Sequence, residues 1–192
     1  MVSNRLLLGL FSVASLAVVG CEDPPAPTPA GAFDVNLRDS GPDCPLKTHE
    51  TEMGVVGSSG EPTLVSNGQD GAEVKCTVEA AGGNFSIDAT LDDIANVRLV
   101  VASIGDGNNA QAAGADGTLT YASTDTAGNV YQSAGGAPCK VWIDADAGQF
   151  VRAGEAWVTV ACDSVVAGNN VCAISNSYVA LRNCTGAVTE DE

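Results

Sequence analysis

Six cysteines, two tryptophans and a surplus of carboxylates are the residues whose types and spacing bear on chemistry in this chain. Cys44, Cys76, Cys139, Cys162, Cys172 and Cys184 form an even set, open to three disulfides or to thiolate metal ligation. No Cys-x-x-Cys pair occurs and His49 is the only histidine. The usual spacing of a zinc site is missing, and disulfides are the expected use. Trp142 and Trp157 offer broad apolar surfaces, each with one donor, that could stack on a sugar or a peptide. Asp144-Ala145-Asp146-Ala147-Gly148 begins like a calcium loop, but it lacks the third acidic or amide ligand and the closing glutamate. Asp, Asn and Gly also dominate turns for conformational reasons. Turn chemistry is therefore preferred over a metal at Asp144 and Asp146, as at Asp106-Gly107-Asn108-Asn109, and no cofactor is expected.

Sequence signatures of catalysis are missing. No Gly-x-Ser-x-Gly elbow, phosphate-cradling glycine loop, His-Glu-x-x-His helix or Cys/His nucleophile arrangement occurs. Two carboxylates at a suitable separation would suffice for glycoside hydrolysis. Nothing selects such a pair from 24 acids, so no catalytic residue is assigned.

The first residues bear on the compartment. One positive charge, Arg5, precedes an apolar run from Leu6 to Val19 that only Gly9, Ser12 and Ser15 interrupt. A membrane-spanning helix needs about 20 apolar residues, whereas a charged start and a shorter apolar core make a secretory signal. The end of the run, Val18-Val19-Gly20-Cys21, resembles the lipobox of bacterial lipoproteins, in which a small residue precedes the cysteine that receives lipid. The resemblance covers the first 21 residues. It implies that Cys21 is alkylated with diacylglycerol, becomes the first residue after cleavage, and takes a further acyl chain such as palmitate. Two or more acyl chains, at roughly 0.8 kcal/mol per buried methylene, anchor a protein stably. The odd total of seven cysteines agrees, because assigning Cys21 to lipid leaves six to pair.

Loss of residues 1–20 would remove Arg5 and leave 24 acids against 7 bases. Such a charge repels phosphate backbones and anionic headgroups, so nucleic acid is disfavoured as a partner. Glu22 to Asp43 contains Pro24, Pro25, Pro27, Pro29 and Pro42, a composition that favours extended, hydrated polyproline II. The expected organisation is a signal peptide at 1–20, a lipidated cysteine and flexible proline-rich linker at 21–43, a folded domain at 44–184, and an acidic disordered tail at 185–192. Phe33-Asp34-Val35-Asn36-Leu37 alternates like a short strand and is the one sign of order inside the linker.

Within the domain the apolar residues recur with period two. Val74, Cys76 and Val78 share a face, as do Phe85, Ile87, Ala89 and Leu91, and the Ala-Ala-Gly-Gly-Asn between them reads as a hairpin loop. Val97 to Ile104 is apolar on both faces and reads as a buried central strand. Further strands are expected at Gly117 to Ser123, Val130 to Ser133, Cys139 to Ala145, Ala156 to Cys162 and Tyr178 to Asn183. Leu91 to Val97 reads as a turn, or one helical turn capped by Asp92. Short, regularly spaced strands predict an all-β fold, an antiparallel β-sandwich braced by disulfides.

Folding Cys139 to Ala145 back on Ala156 to Cys162 about Phe150-Val151 places Cys139 opposite Cys162, Val141 opposite Val160, and Ile143 opposite Val158. Trp142, Asp144, Trp157 and Thr159 then share the other face, where the indoles form a ligand platform or lie under a covering segment. That register suggests a Cys139–Cys162 bond, although directly opposed cysteines on neighbouring strands face restricted geometry. Cys172 with Cys184 would close a short C-terminal loop, and Cys44 would tie the linker's base to the body. Six cysteines allow 15 connectivities. Short pieces of the chain are similar to the mycobacterial 19 kDa lipoprotein antigens: Val74-Lys75-Cys76-Thr77 followed by Ala80-Ala81-Gly82-Gly83-Asn84, and Trp157-Val158-Thr159-Val160-Ala161-Cys162. This resemblance implies a Cys76–Cys162 bond instead.

The expected protein is a non-enzymatic lipoprotein of the bacterial cell envelope. Lipid would anchor it on the extracytoplasmic side, at the outer membrane or cell surface, and it would serve as a structural or interaction module for an envelope or extracellular partner. A carbohydrate or small-ligand binder using Trp142 and Trp157 is the second expectation, and an envelope hydrolase the third.

Overall fold

The computed structural model describes residues 26–186, and antiparallel strands dominate them. In chain order they are β1 (Ala30–Arg38), β2 (His49–Met53), β3 (Val65–Ser66), β4 (Glu73–Ala81), β5 (Asn84–Asp92), β6 (Ala95–Ile104), β7 (Ala115–Ser123), β8 (Tyr131–Ser133), β9 (Cys139–Trp142), β10 (Phe150–Arg152), β11 (Glu155–Ala167) and β12 (Asn170–Arg182). They form one hydrogen-bonded path, β2-β1-β12-β11-β8-β7-β6-β5-β4. Beside it β9 bridges β7 and β11, β10 pairs with β11, and β3 pairs with β1.

The path folds over on itself as a sandwich because nearly every strand has one apolar face. Phe33, Val35 and Leu37 of β1 meet Leu91 of β5, Val97 and Leu99 of β6, and Val158 and Val160 of β11 in a single buried core. Strand alternation makes this possible, since every second side chain points inward. β6 lies between β5 and β7 as expected of a central strand, but it is buried on one face only. Arg98, Ala102 and Ser103 are exposed, and the outer face of its layer meets solvent.

The linker expected at 21–43 ends earlier than its composition implied. β1 runs from Ala30 between β2 and β12, with Phe33, Val35 and Leu37 fully buried. Alternation outweighs the proline content around it, because the apolar face of β1 finds the core. The tail expected from 185 also begins late. Val78 N donates to Thr185 O at 2.9 Å and Thr185 N to Cys76 O at 3.0 Å, so the chain's own end covers the edge of β4. The remainder of the expected tail, the signal peptide and Cys21 lie outside the described residues.

The bonds are Cys44–Cys172, Cys76–Cys184 and Cys139–Cys162. The third follows the register reading, since Val141 pairs with Val160 and Trp142 with Thr159. A Cys172–Cys184 bond is ruled out because β12 extends from 170 to 182. Twelve extended residues span about 40 Å, against less than about 7 Å between the Cα atoms of a disulfide. Cys76 bonds the segment that covers β4 instead of Cys162, so the pairing implied by the antigen resemblance does not hold.

Candidate functional site

Both indoles lie on the outer face of the β1-β12-β11 layer, and both are buried, Trp142 at 9% exposure and Trp157 at 5%. The covering segment is the stretch after β2. Gly54 adopts φ +69°, where a Cβ would strike the Thr63 carbonyl, and Val55 and Thr63 pair through two backbone hydrogen bonds of 2.9 and 2.8 Å. Glycine is needed for that turn. The segment lays Val56 against Ala32, Trp157 and Ala180, and Trp157 Nε1 donates to Gly57 O at 3.2 Å. Gln149, almost fully buried, accepts from Asp144 N and Thr159 Oγ1, each at 3.0 Å, and donates to Ser58 O at 3.5 Å. Of the two readings of Trp142 and Trp157, the structure fits the covered one: both indoles are buried, and the Trp157 donor is used within the fold.

Asp144 caps a single turn of 3-10 helix, its Oδ1 accepting from Ala147 N at 3.2 Å, and Gly148 closes that turn at φ +90°. Asp146 sits in the first turn of the same element. Asn108 behaves likewise, accepting from Gly105 N at 2.9 Å and donating to Ala113 O at 2.8 Å. These contacts are turn chemistry.

The structure assembles instead a carboxylate cluster that the sequence reading did not single out. In the β1/β2 ladder Asp34 pairs with Glu52 and Asn36 with Glu50, while on its other side Asp34 faces Tyr178 of β12. One carboxylate oxygen from each of Asp34, Glu50 and Glu52 lies within 4.8 Å of the others. The β1/β12 register slips between Asp34 and Leu37, where Asn36 N donates to Ser177 Oγ at 2.9 Å. The Asn36 side chain donates to Asp34 Oδ1 at 2.9 Å.

Asp34 is 7% exposed, whereas both glutamates face solvent. Burial pushes the Asp34 carboxyl up to about 7; the negative charges of Glu50 and Glu52 add to this and the Asn36 hydrogen bond opposes it. An all-oxygen donor set of this kind suits a hard divalent cation.

A groove of about 520 Å³ runs beside β2, lined by Glu50, Thr51, Glu52, Ile94, Thr124 and Asp125. Asp34 does not line it. Asp34, on β1, thus stands one strand in from the groove, against the two glutamates that line it. On the inner face of β2, Thr51 Oγ1 and His49 Nε2 lie 2.7 and 3.2 Å from the hydroxyl of fully buried Tyr121. These bonds fix the strand to the opposite layer. No protein family, curated protein or solved structure matches this chain.

Proposed function

We propose that this is a non-enzymatic lipoprotein, held at the bacterial cell envelope by lipid on Cys21, whose disulfide-braced sandwich is a structural or interaction module. The observation that carries the reading is the cysteine pairing. Three bonds use all six cysteines after Cys21 and leave that residue alone, directly behind an apolar signal-like run. Disulfides of this density belong to oxidising compartments. With β1 beginning at Ala30, the tether shortens to Glu22 through Pro29, a reach of at most about 28 Å. The net negative charge repels anionic headgroups on close approach, within about one Debye length. Burial of both tryptophans favours this reading over a carbohydrate binder that uses their faces.

Intact mass of the membrane-extracted protein tests the anchor. A chain beginning at lipidated Cys21 is expected, and Cys21→Ser is expected to yield uncut precursor or unanchored protein. A native N-terminus far from Cys21 would overturn the proposal.

A further inference from the structure

The two ends of the sheet are treated differently. At β4 the edge is covered by the segment around Thr185, and Gly154 N also donates to Val78 O at 2.9 Å. Among the described residues, β2 has a hydrogen-bonded strand partner on one side only, β1. An uncovered strand edge is a row of backbone donors and acceptors that an extended segment from another chain can join. β2 is also held in place, because Thr51 and His49 bond Tyr121 from its inner face.

What joins this edge is limited by charge. The groove beside β2 is lined by Glu50 and Glu52 from β2 and by Thr124 and Asp125 from the turn after β7, and no basic residue lines it among the described residues. Ile94, 57% exposed, gives the same groove an apolar contact. A second copy pairing through β2 would set Glu50 and Glu52 against their own equivalents, and like charges directly opposed on neighbouring strands are destabilising.

We propose that the free edge of β2 accepts an extended cationic segment of a partner protein as an added strand. Basic side chains at alternate positions would face Glu50 and Glu52, and the backbone would pair with β2 along the groove. This deepens the interaction reading and rests on it, by giving the partner's chemistry.

The test uses the full chain and a ten-residue peptide alternating lysine and threonine, titrated at low salt by calorimetry and by backbone amide shifts. Binding is expected to perturb residues 49–53 and 124–125, and to weaken at least tenfold when alternate peptide amides on the pairing edge are N-methylated. Glu50→Gln combined with Glu52→Gln is expected to weaken it at least tenfold, and Asp125→Asn to weaken it less. Both glutamates are exposed, so the fold tolerates these changes. No binding, or binding indifferent to N-methylation, overturns the edge proposal, because diffuse attraction to an acidic surface does not need backbone pairing.

Photo-crosslinkers at Thr124 in the groove and at exposed Val130, placed in cells that make the protein, separate this failure from that of the broader reading. Adducts at Thr124 that the lysine–threonine peptide competes away support the edge. Adducts only at Val130 leave the interaction reading standing and overturn the edge. Adducts at neither position count against both.

Discussion

Replacing Asp34 by asparagine should change how stability depends on pH more than it changes stability itself. In the unfolded chain this carboxyl ionises near 3.8, and in the fold burial and the neighbouring Glu50 and Glu52 carry it to about 7. Because the folded value is the higher one, the contribution of Asp34 is fully present below about pH 4 and is lost as pH rises through about 7. A difference of that size corresponds to at most about 4 kcal/mol. Both glutamates are exposed and screened by solvent, which brings the expected figure to about 2 kcal/mol. The asparagine side chain would keep an oxygen to accept from Asn36 but would carry no charge. At pH 8 the variant should be more stable than the native chain by about 2 kcal/mol, or roughly 4–8 °C in Tm for a domain of this size. At pH 4 the two should nearly coincide. Thermal unfolding of both proteins from pH 4 to 8, with carbon-13 detection of the Asp34 carboxyl in the native chain, checks the sign and the midpoint. A difference that stays flat across that range refutes the argument.

Breaking the two long-range bonds should cost more than breaking the short one. Loop-closure entropy gives about 5 kcal/mol each for Cys44–Cys172 and Cys76–Cys184, at separations of 128 and 108, and about 3 kcal/mol for Cys139–Cys162, at 23. Denaturant unfolding of paired alanine variants should reproduce that order, and equal losses would count against it. Acrylamide should quench tryptophan emission poorly in the folded protein, and efficient quenching would contradict the burial of Trp142 and Trp157. Gln149→Ala should destabilise by about 1–3 kcal/mol in thermal melts, since it leaves buried Thr159 without its acceptor. Asp144→Ala should cost about 1 kcal/mol for the lost cap. In differential scanning fluorimetry it should leave any calcium response unchanged, whereas a calcium-selective rise in Tm that this variant abolishes would make the turn a metal site.

The hairpin of β4 and β5 and the face-sharing of β9 with β11 were legible because Val, Cys and Ile alternate there without interruption. The same rule was available for β1 in Phe33-Asp34-Val35-Asn36-Leu37, but five prolines nearby gave the region the composition of a spacer. His49-Glu50-Thr51-Glu52-Met53 alternates too. Alternation therefore hinted that Asp34 and the two glutamates each face away from the core. Their convergence depends on the register between β1 and β2, which no local pattern encodes. The cover over Trp157 was equally hidden, because its hydrogen-bond partner, Gly57, lies 100 residues away in a stretch without periodicity. Of the disulfides, only the bond between neighbouring strands followed from local register, and the other two join segments more than a hundred residues apart.

The position of Cys44 just beyond β1 has a mechanical consequence. A load applied at the N-terminal end enters the fold at Ala30 and must first shear β1 from β2 and β12, strands that grip it on both sides. If β1 gives way, only the chain from Ala30 to Cys44 can extend, to a total reach of at most about 50 Å. The pull then reaches the covalent link to Cys172 in β12, and through β12 the bond that Cys184 makes to Cys76 on β4. Tension at that end would be borne by sulfur after one strand is lost, with the rest of the sandwich still in place.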